Sequence, residues 1–234
     1  KLKDEDTSAK IQRCIGAVMM NIGKFDEAME CYKKHMNHFK KSDNKVEIAA
    51  IAGQIGAVYL HQGKLDESYK FFNKQYEISK QIDSKQLLQQ ALGNMALIDN
   101  IHGKFENALG RFDDILTICE DINDRMSICN TYGNMGIAYK NLQDYPRAIE
   151  NYELQLGIAE KSNYKRHVCS AYTNMGISYH KKGDFESSDN YYKRSEEIVT
   201  NINDKVEESN LYGSKGMLYV DMGDLDGALS EYEK

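Results

Sequence analysis

The sequence predicts an all-α fold, a right-handed superhelical solenoid of antiparallel helix pairs, and three observations carry that expectation. The first is a string that recurs at fixed spacing. Tyr132-Gly133-Asn134-Met135-Gly136-Ile137-Ala138-Tyr139 returns forty residues later as Tyr172-Thr173-Asn174-Met175-Gly176-Ile177-Ser178-Tyr179. Looser copies at the same phase begin at Gly53 and at Tyr212. Self-similarity of this period marks stacked supersecondary units, each burying a face against its neighbours. The second is composition: of 234 residues 41% are hydrophobic, 28% are charged and one is proline, a helix-rich profile rather than a disordered one. The third is punctuation, because a glycine interrupts the helical pattern in the middle of nearly every unit.

Taken in order, Asp4 and Thr7 stand as capping candidates before Ile11, Ile15 and Val18, an apolar face at helical spacing. Asn21-Ile22-Gly23-Lys24 breaks the pattern, and Phe25, Ala28, Met29, Tyr32 and Met36 restart it. Residues 1–40 thus read as two helices joined by a tight turn. The unit recurs at 41–80, 81–120, 121–160 and 161–200, and 201–234 reads as a truncated sixth, so 1–234 is expected to be one array. Turn glycines fall at Gly23, Gly63, Gly103, Gly183 and Gly223, with Gln143 in the remaining place. Asp43, Asp83, Asn123, Asn163 and Asn203 mark the junctions, where N-caps are expected. Pro146 suits the first turn of its helix, where no helical hydrogen bond is lost.

Glycines also recur inside the first helix of the units, at Gly16, Gly56, Gly136, Gly176 and Gly216, with Ala96 in the third. Each costs about 1 kcal/mol relative to alanine, which a close helix–helix approach would justify. The second helices carry small residues (Ala28, Ser68, Ala108, Ala148, Ser188, Ala228) expected at the same contact. Their aromatics (Tyr32, Phe72, Phe112, Tyr152, Tyr192, Tyr232) are expected to fill the space between successive pairs.

This pattern of small and large residues, seen in Gly136, Tyr139, Ala148 and Tyr152, resembles the tetratricopeptide repeat over the whole chain. Two departures stand out: the period is forty rather than about 34, and the proline that normally ends each repeat is absent. The longer period is similar to that of spindle-orientation adaptors that bind G-protein α subunits and of bacterial Rap-type peptide-sensing regulators. Asn134-Met135-Gly136 resembles the Asn-Leu-Gly of that subclass. The resemblance implies that the first helices line a concave groove.

Positions spaced i, i+4, i+7 and i+11 on those helices form one stripe. Its candidate peptide-binding residues are Gln54, Gln90, Asn94, Asn130, Asn134, Ile137, Asn141, Asn174, Ile177, Lys181, Asn210 and Ser214. Asparagine is a mediocre helix former, so its recurrence at one phase calls for a reason. A carboxamide can donate to and accept from the backbone of an extended peptide whatever its sequence; bonding to a neighbouring helix is the structural alternative. Cations on the face are few and separated, Lys10, Arg13 and Lys181, so a strongly acidic ligand is disfavoured. Leu97, Ile137, Ile177 and Met217 suit a neutral peptide with apolar side chains.

Other chemistry is not indicated. The net charge of −6 with interspersed Lys and Glu gives no nucleic-acid footprint. No apolar run approaches the ~20 residues of a membrane span, and no signal peptide opens the chain. Cys14, Cys31, Cys119, Cys129 and Cys169 contain no C-x-x-C pair and read as reduced thiols of a cytoplasmic protein. The histidines show no metal-ligand spacing; His35 and His38 share a helix face and read as surface. Cys169 and His167 are only sequence neighbours, and Asp113-Asp114 and Glu196-Glu197 read as solvated surface. Tyr59, Tyr139, Tyr179 and Tyr219 read as inter-helix packing rather than a platform for bases. The chain is therefore expected to be no enzyme and to need no cofactor or metal. The expected function is a scaffold that captures a peptide or extended partner segment; the alternative is an intramolecular regulatory arm of a larger signalling protein. Self-association through the last repeat, around Leu218 and Leu225, is a further expectation.

Overall fold

In the computed structural model, which describes the backbone of residues 2–41 and 43–234 and the side chains of 7, 11–41 and 43–234, the chain is all-helical. The first three pairs are α1 (Leu2–Asn21) with α2 (Phe25–Lys41), α3 (Lys45–His61) with α4 (Leu65–Gln81), and α5 (Lys85–Ile101) with α6 (Phe105–Asp121). The next three are α7 (Arg125–Asn141) with α8 (Tyr145–Lys161), α9 (Lys165–Lys181) with α10 (Phe185–Ile202), and α11 (Lys205–Met222) with α12 (Leu225–Tyr232). Contacts divide the chain into two compact units, residues 1–118 and 119–234.

The turns within pairs are built alike. Gly23, Gly63, Gly103, Gly183 and Gly223 have φ between 71° and 81°, and Gln143 adopts the same left-handed conformation at 62°. The Gly63 N–H donates to Leu60 O and the Lys64 N–H to Tyr59 O, closing the end of α3. Pro146 sits in the first turn of α8, as its spacing predicts.

The junctions between pairs differ from expectation. Asp43, Asp83, Asn123, Asn163 and Asn203 are not N-caps; they take the left-handed conformation, φ 48–56°, that ends the preceding helix. Asp and Asn tolerate that region better than other L-residues. Capping falls one residue later, where Asn44, Asp124 and Asp204 accept from the N–H groups of Glu47, Ser127 and Glu207. The start of α1 also differs. Asp4 and Thr7 lie inside the helix rather than ahead of it; the side chains of Asp4 and Lys10 lie outside those described.

Packing explains the mid-helix glycines. A Cβ on Gly56 would stand 2.7 Å from the Phe72 ring, and one on Gly176 would stand 2.5 Å from the Tyr192 ring. The aromatic therefore lies on the glycine of its own pair, and Tyr152 also joins Ala171 and Met175 of the following helix in one cluster. The small residues share this contact: Ser68 Oγ donates to Gly56 O and Ser188 Oγ to Gly176 O. Full burial of each ring contributes about 1.5–3 kcal/mol. The second tyrosine series packs between helices as expected, with Tyr179 stacked on Tyr191 at 5.3 Å and Tyr59 tilted on Phe71 at 5.5 Å.

Three surface assignments are overturned. Leu218 is fully buried within the 119–234 unit, which leaves Leu225, Leu229 and Tyr232 as the exposed apolar side chains of α12. His35 is buried and bonds Glu47 at 3.3 Å. Glu196 is not free surface: it holds the buried Lys215 at 2.7 Å and Lys234 at 2.7 Å, because α10 brings it beside α11. Among the described residues no helix is long and apolar enough to cross a membrane.

Candidate functional site

The unit 119–234 packs α9 on α7 and α11 on α9, so its first helices form a continuous layer. A cavity of about 250 Å³ opens on that layer. Five residues of the predicted stripe and its phase line it: Asn130, Asn134 and Ile137 from α7, Ser170 and Asn174 from α9. Gly133, Gln155, Arg166, His167 and Glu207 complete the lining.

Hydrogen bonds fix most of these groups. His167 Nε2 lies 2.7 Å from Asn130 Oδ1 and, carrying the proton, donates to it. Burial lowers the His167 pKa, and the nearby Arg166 charge lowers it further, so the ring is neutral at pH 7. Arg166 Nε lies 3.2 Å from Glu207 Oε1 and 3.2 Å from Asp204 Oδ2. Asn174 Nδ2 donates to Ser170 Oγ at 3.4 Å, one turn back on its own helix. Gln155 is different. Only 5% of it is exposed, and its Oε1 is buried without a hydrogen-bond partner. It owes its place to Gly133, since a Cβ there would stand 2.6 Å from Gln155 Nε2.

The other candidates fall elsewhere. Asn141, Lys181 and Asn210 are exposed and Ile177 and Ser214 half-buried on α7, α9 and α11, outside the cavity lining. In the unit 1–118, Gln90 is exposed, while Gln54 and Asn94 are half-buried on α3 and α5. Gln54 Oε1 is buried without a partner there.

The stripe missed five lining residues. Arg166 and His167 lie four and three positions before Ser170, one turn down the same face of α9. Arg166 also corrects the count of cations on this face, and Arg13 is engaged by Glu47 at 3.6 Å. Gln155 had a signal: Gln75 occupies the same register eighty residues earlier, two repeats back, and each faces a glycine, Gly53 or Gly133. Cys169 turns away from His167, its Sγ lying 3.1 Å from Ser195 Oγ. Among the described residues no group of three or more His, Cys, Asp or Glu is placed to hold a metal.

A tetratricopeptide repeat model matches residues 7–81, 47–121, 127–201 and 167–234. The chain belongs to the tetratricopeptide repeat family. Scaffolds of this family are generally non-catalytic and bind other proteins. No curated protein matches the sequence at a significant level. Solved structures share the fold at low identity. A signal-transduction ATPase with numerous domains and a tetratricopeptide repeat sensor from Pyrococcus horikoshii gives TM-score 0.82 at 16% identity, over 98% of this chain and 37% of that one. Aspartyl phosphate phosphatase F from Bacillus subtilis gives 0.80 at 14%, over 98% and 69%. A Rap protein complexed with competence and sporulation factor gives 0.76 at 18%, over 96% and 63%.

Proposed function

We propose that this tetratricopeptide repeat chain is a protein-interaction scaffold whose first-helix face captures a peptide or extended partner segment. The observation that carries the reading is the convergence of Asn130, Asn134, Ile137, Ser170 and Asn174 on one cavity. Polar side chains recurring at one phase and meeting at a concavity suit a ligand backbone, which offers a donor and an acceptor at every residue. Arg166 is answered by two carboxylates, so the face keeps no unpaired cation there to draw an acidic tail. The exposed Met217 of α11 suits an apolar side chain of the ligand. The Rap neighbour's complex with a competence and sporulation factor supports the same reading. In this proposal the repeats of 1–234 act as one array, and the candidates on α7, α9 and α11 outside the cavity extend the contact.

The test is capture of a synthetic library of N-acetylated hexapeptides by the immobilised chain. Replacing Asn134 and Asn174 together by alanine should weaken capture about 10–100-fold, the equivalent of 1–3 kcal/mol of lost hydrogen bonding. The melting temperature should stay equal or rise. A lower melting temperature would assign the asparagines a packing role instead.

A second reading is a sensor arm of a larger protein, favoured by likeness to the repeat sensor of the multidomain ATPase. A catalytic or effector domain in the same reading frame, with activity that changes when the repeats are deleted, would select it.

A further inference from the structure

We propose that the cavity on α7 and α9 is a subsite for a primary carboxamide, the side chain of an asparagine or glutamine in the captured peptide. The assignment rests on the capture reading above and names what one position of the peptide must be.

Gln155 is the group that selects the guest. Its Oε1 is buried and unpartnered at the cavity lining. A buried carbonyl oxygen left unpaired is unfavourable, and its complement is an N–H donor. Gly133 makes room for that carboxamide at the cavity wall, because a Cβ at 133 would stand 2.6 Å from its Nε2. The surrounding charges are already answered: Arg166 by Asp204 and Glu207, and His167 held neutral beside Asn130. A guest carboxylate would meet Glu207 without a free cation, and a guest ammonium would meet Arg166. The guest that fits is neutral and both donates and accepts. A carboxamide does so, donating to Gln155 and accepting from the exposed amide of Asn134. It pairs with Gln155 whichever way that amide is turned, since oxygen and nitrogen present matching faces. An aliphatic guest would leave Oε1 as it is, and Ile137 serves as the apolar wall beside the amide.

The experiment is a positional-scanning library of N-acetylated hexapeptides, with each position in turn fixed as Asn, Gln, Asp, Lys or Leu. Capture by the full chain is read by mass spectrometry. The wild-type chain should enrich Asn or Gln about tenfold over Asp, Lys and Leu at one position, the scale of a single well-made hydrogen bond to a buried group. Gln155→Leu, which keeps the volume, should erase that preference while still capturing peptides; Gln155→Met serves if the leucine variant melts early. Gly133→Ala, acting from the opposite side, should do the same. Capture without an amide preference, or a preference that survives Gln155→Leu, would overturn the subsite and leave the capture reading standing. No capture by the wild-type chain would overturn both.

Discussion

Repeats four and five present the same register position in two chemistries. In repeat four, Gly133 faces Gln155, and the carboxamide oxygen is left without a partner. In repeat five, Thr173 faces Ser195, and both hydroxyls are satisfied: they meet at 2.8 Å and Ser195 Oγ donates to Cys169 O at 3.1 Å. The neighbouring thiols reflect the difference. Burial alone pushes the Cys129 thiol up to about 11, whereas Cys169, also raised by burial, is pulled back by hydrogen bonds from Ser195 and Thr173. Two short hydroxyls satisfy each other where a glycine and a long amide leave an oxygen unpaired. The repeat sets the fold, and departures within it set the site.

The comparison first needs equal packing in the two repeats. Tyr152 and Tyr192 are both fully buried on a glycine, so Tyr152→Ala and Tyr192→Ala should each cost about 3–5 kcal/mol of stability by urea unfolding. A gap between them of more than about 1 kcal/mol would mean that the repeats differ in their cores as well.

Polar substitutions should then separate the two. Ser195→Ala strands Thr173 Oγ1 beside a buried wall and should cost about 1–3 kcal/mol. Gln155→Leu removes an oxygen that has no partner and should be neutral or stabilising by up to about 1 kcal/mol. Equal losses would break the contrast.

Alkaline pH sharpens it further. A thiol whose folded pKa lies above its unfolded value adds stability that is full below about pH 9 and is lost as pH rises towards about 11, because the unfolded chain gives up its proton first. Cys129→Ala should flatten that decline in stability–pH profiles more than Cys169→Ala. The smallest effect belongs to the asparagines. Asn134→Ala and Asn174→Ala should each raise helix stability by several tenths of a kcal/mol, visible as a small rise in melting temperature.

Much of this was legible in the chain before its structure. The turn glycines, Pro146 and the glycine–aromatic spacing follow from backbone rules that act within a few residues, and the helices obey them. The stripe was legible for the same reason, since helical phase alone puts Asn130, Asn134 and Ile137 on one face. What could not be read there are meetings between helices. Gln155 reaches the site from α8 and Glu207 from α11, and burial, not phase, makes the first an orphan and the second the partner of Arg166. The junction asparagines misled because Asn suits both an N-cap and a left-handed helix end, and only the backbone angle tells which.

The left-handed elbows also bear on how freely the molecule can change. Gln143 holds φ 62° where its five counterparts are glycine, and Asp43 and Asp83 hold φ near 50° at the junctions. An L-residue in that region gives up roughly 1–2 kcal/mol, part of which glycine recovers at the expense of a looser unfolded chain. None of these residues lines the cavity. The chain thus carries a reserve of robustness in its bends, separable from its binding face. A lineage, or an engineer, could draw on Gln143→Gly to tolerate costly changes at 133, 155 or 167, so the ligand could drift while the scaffold stood still.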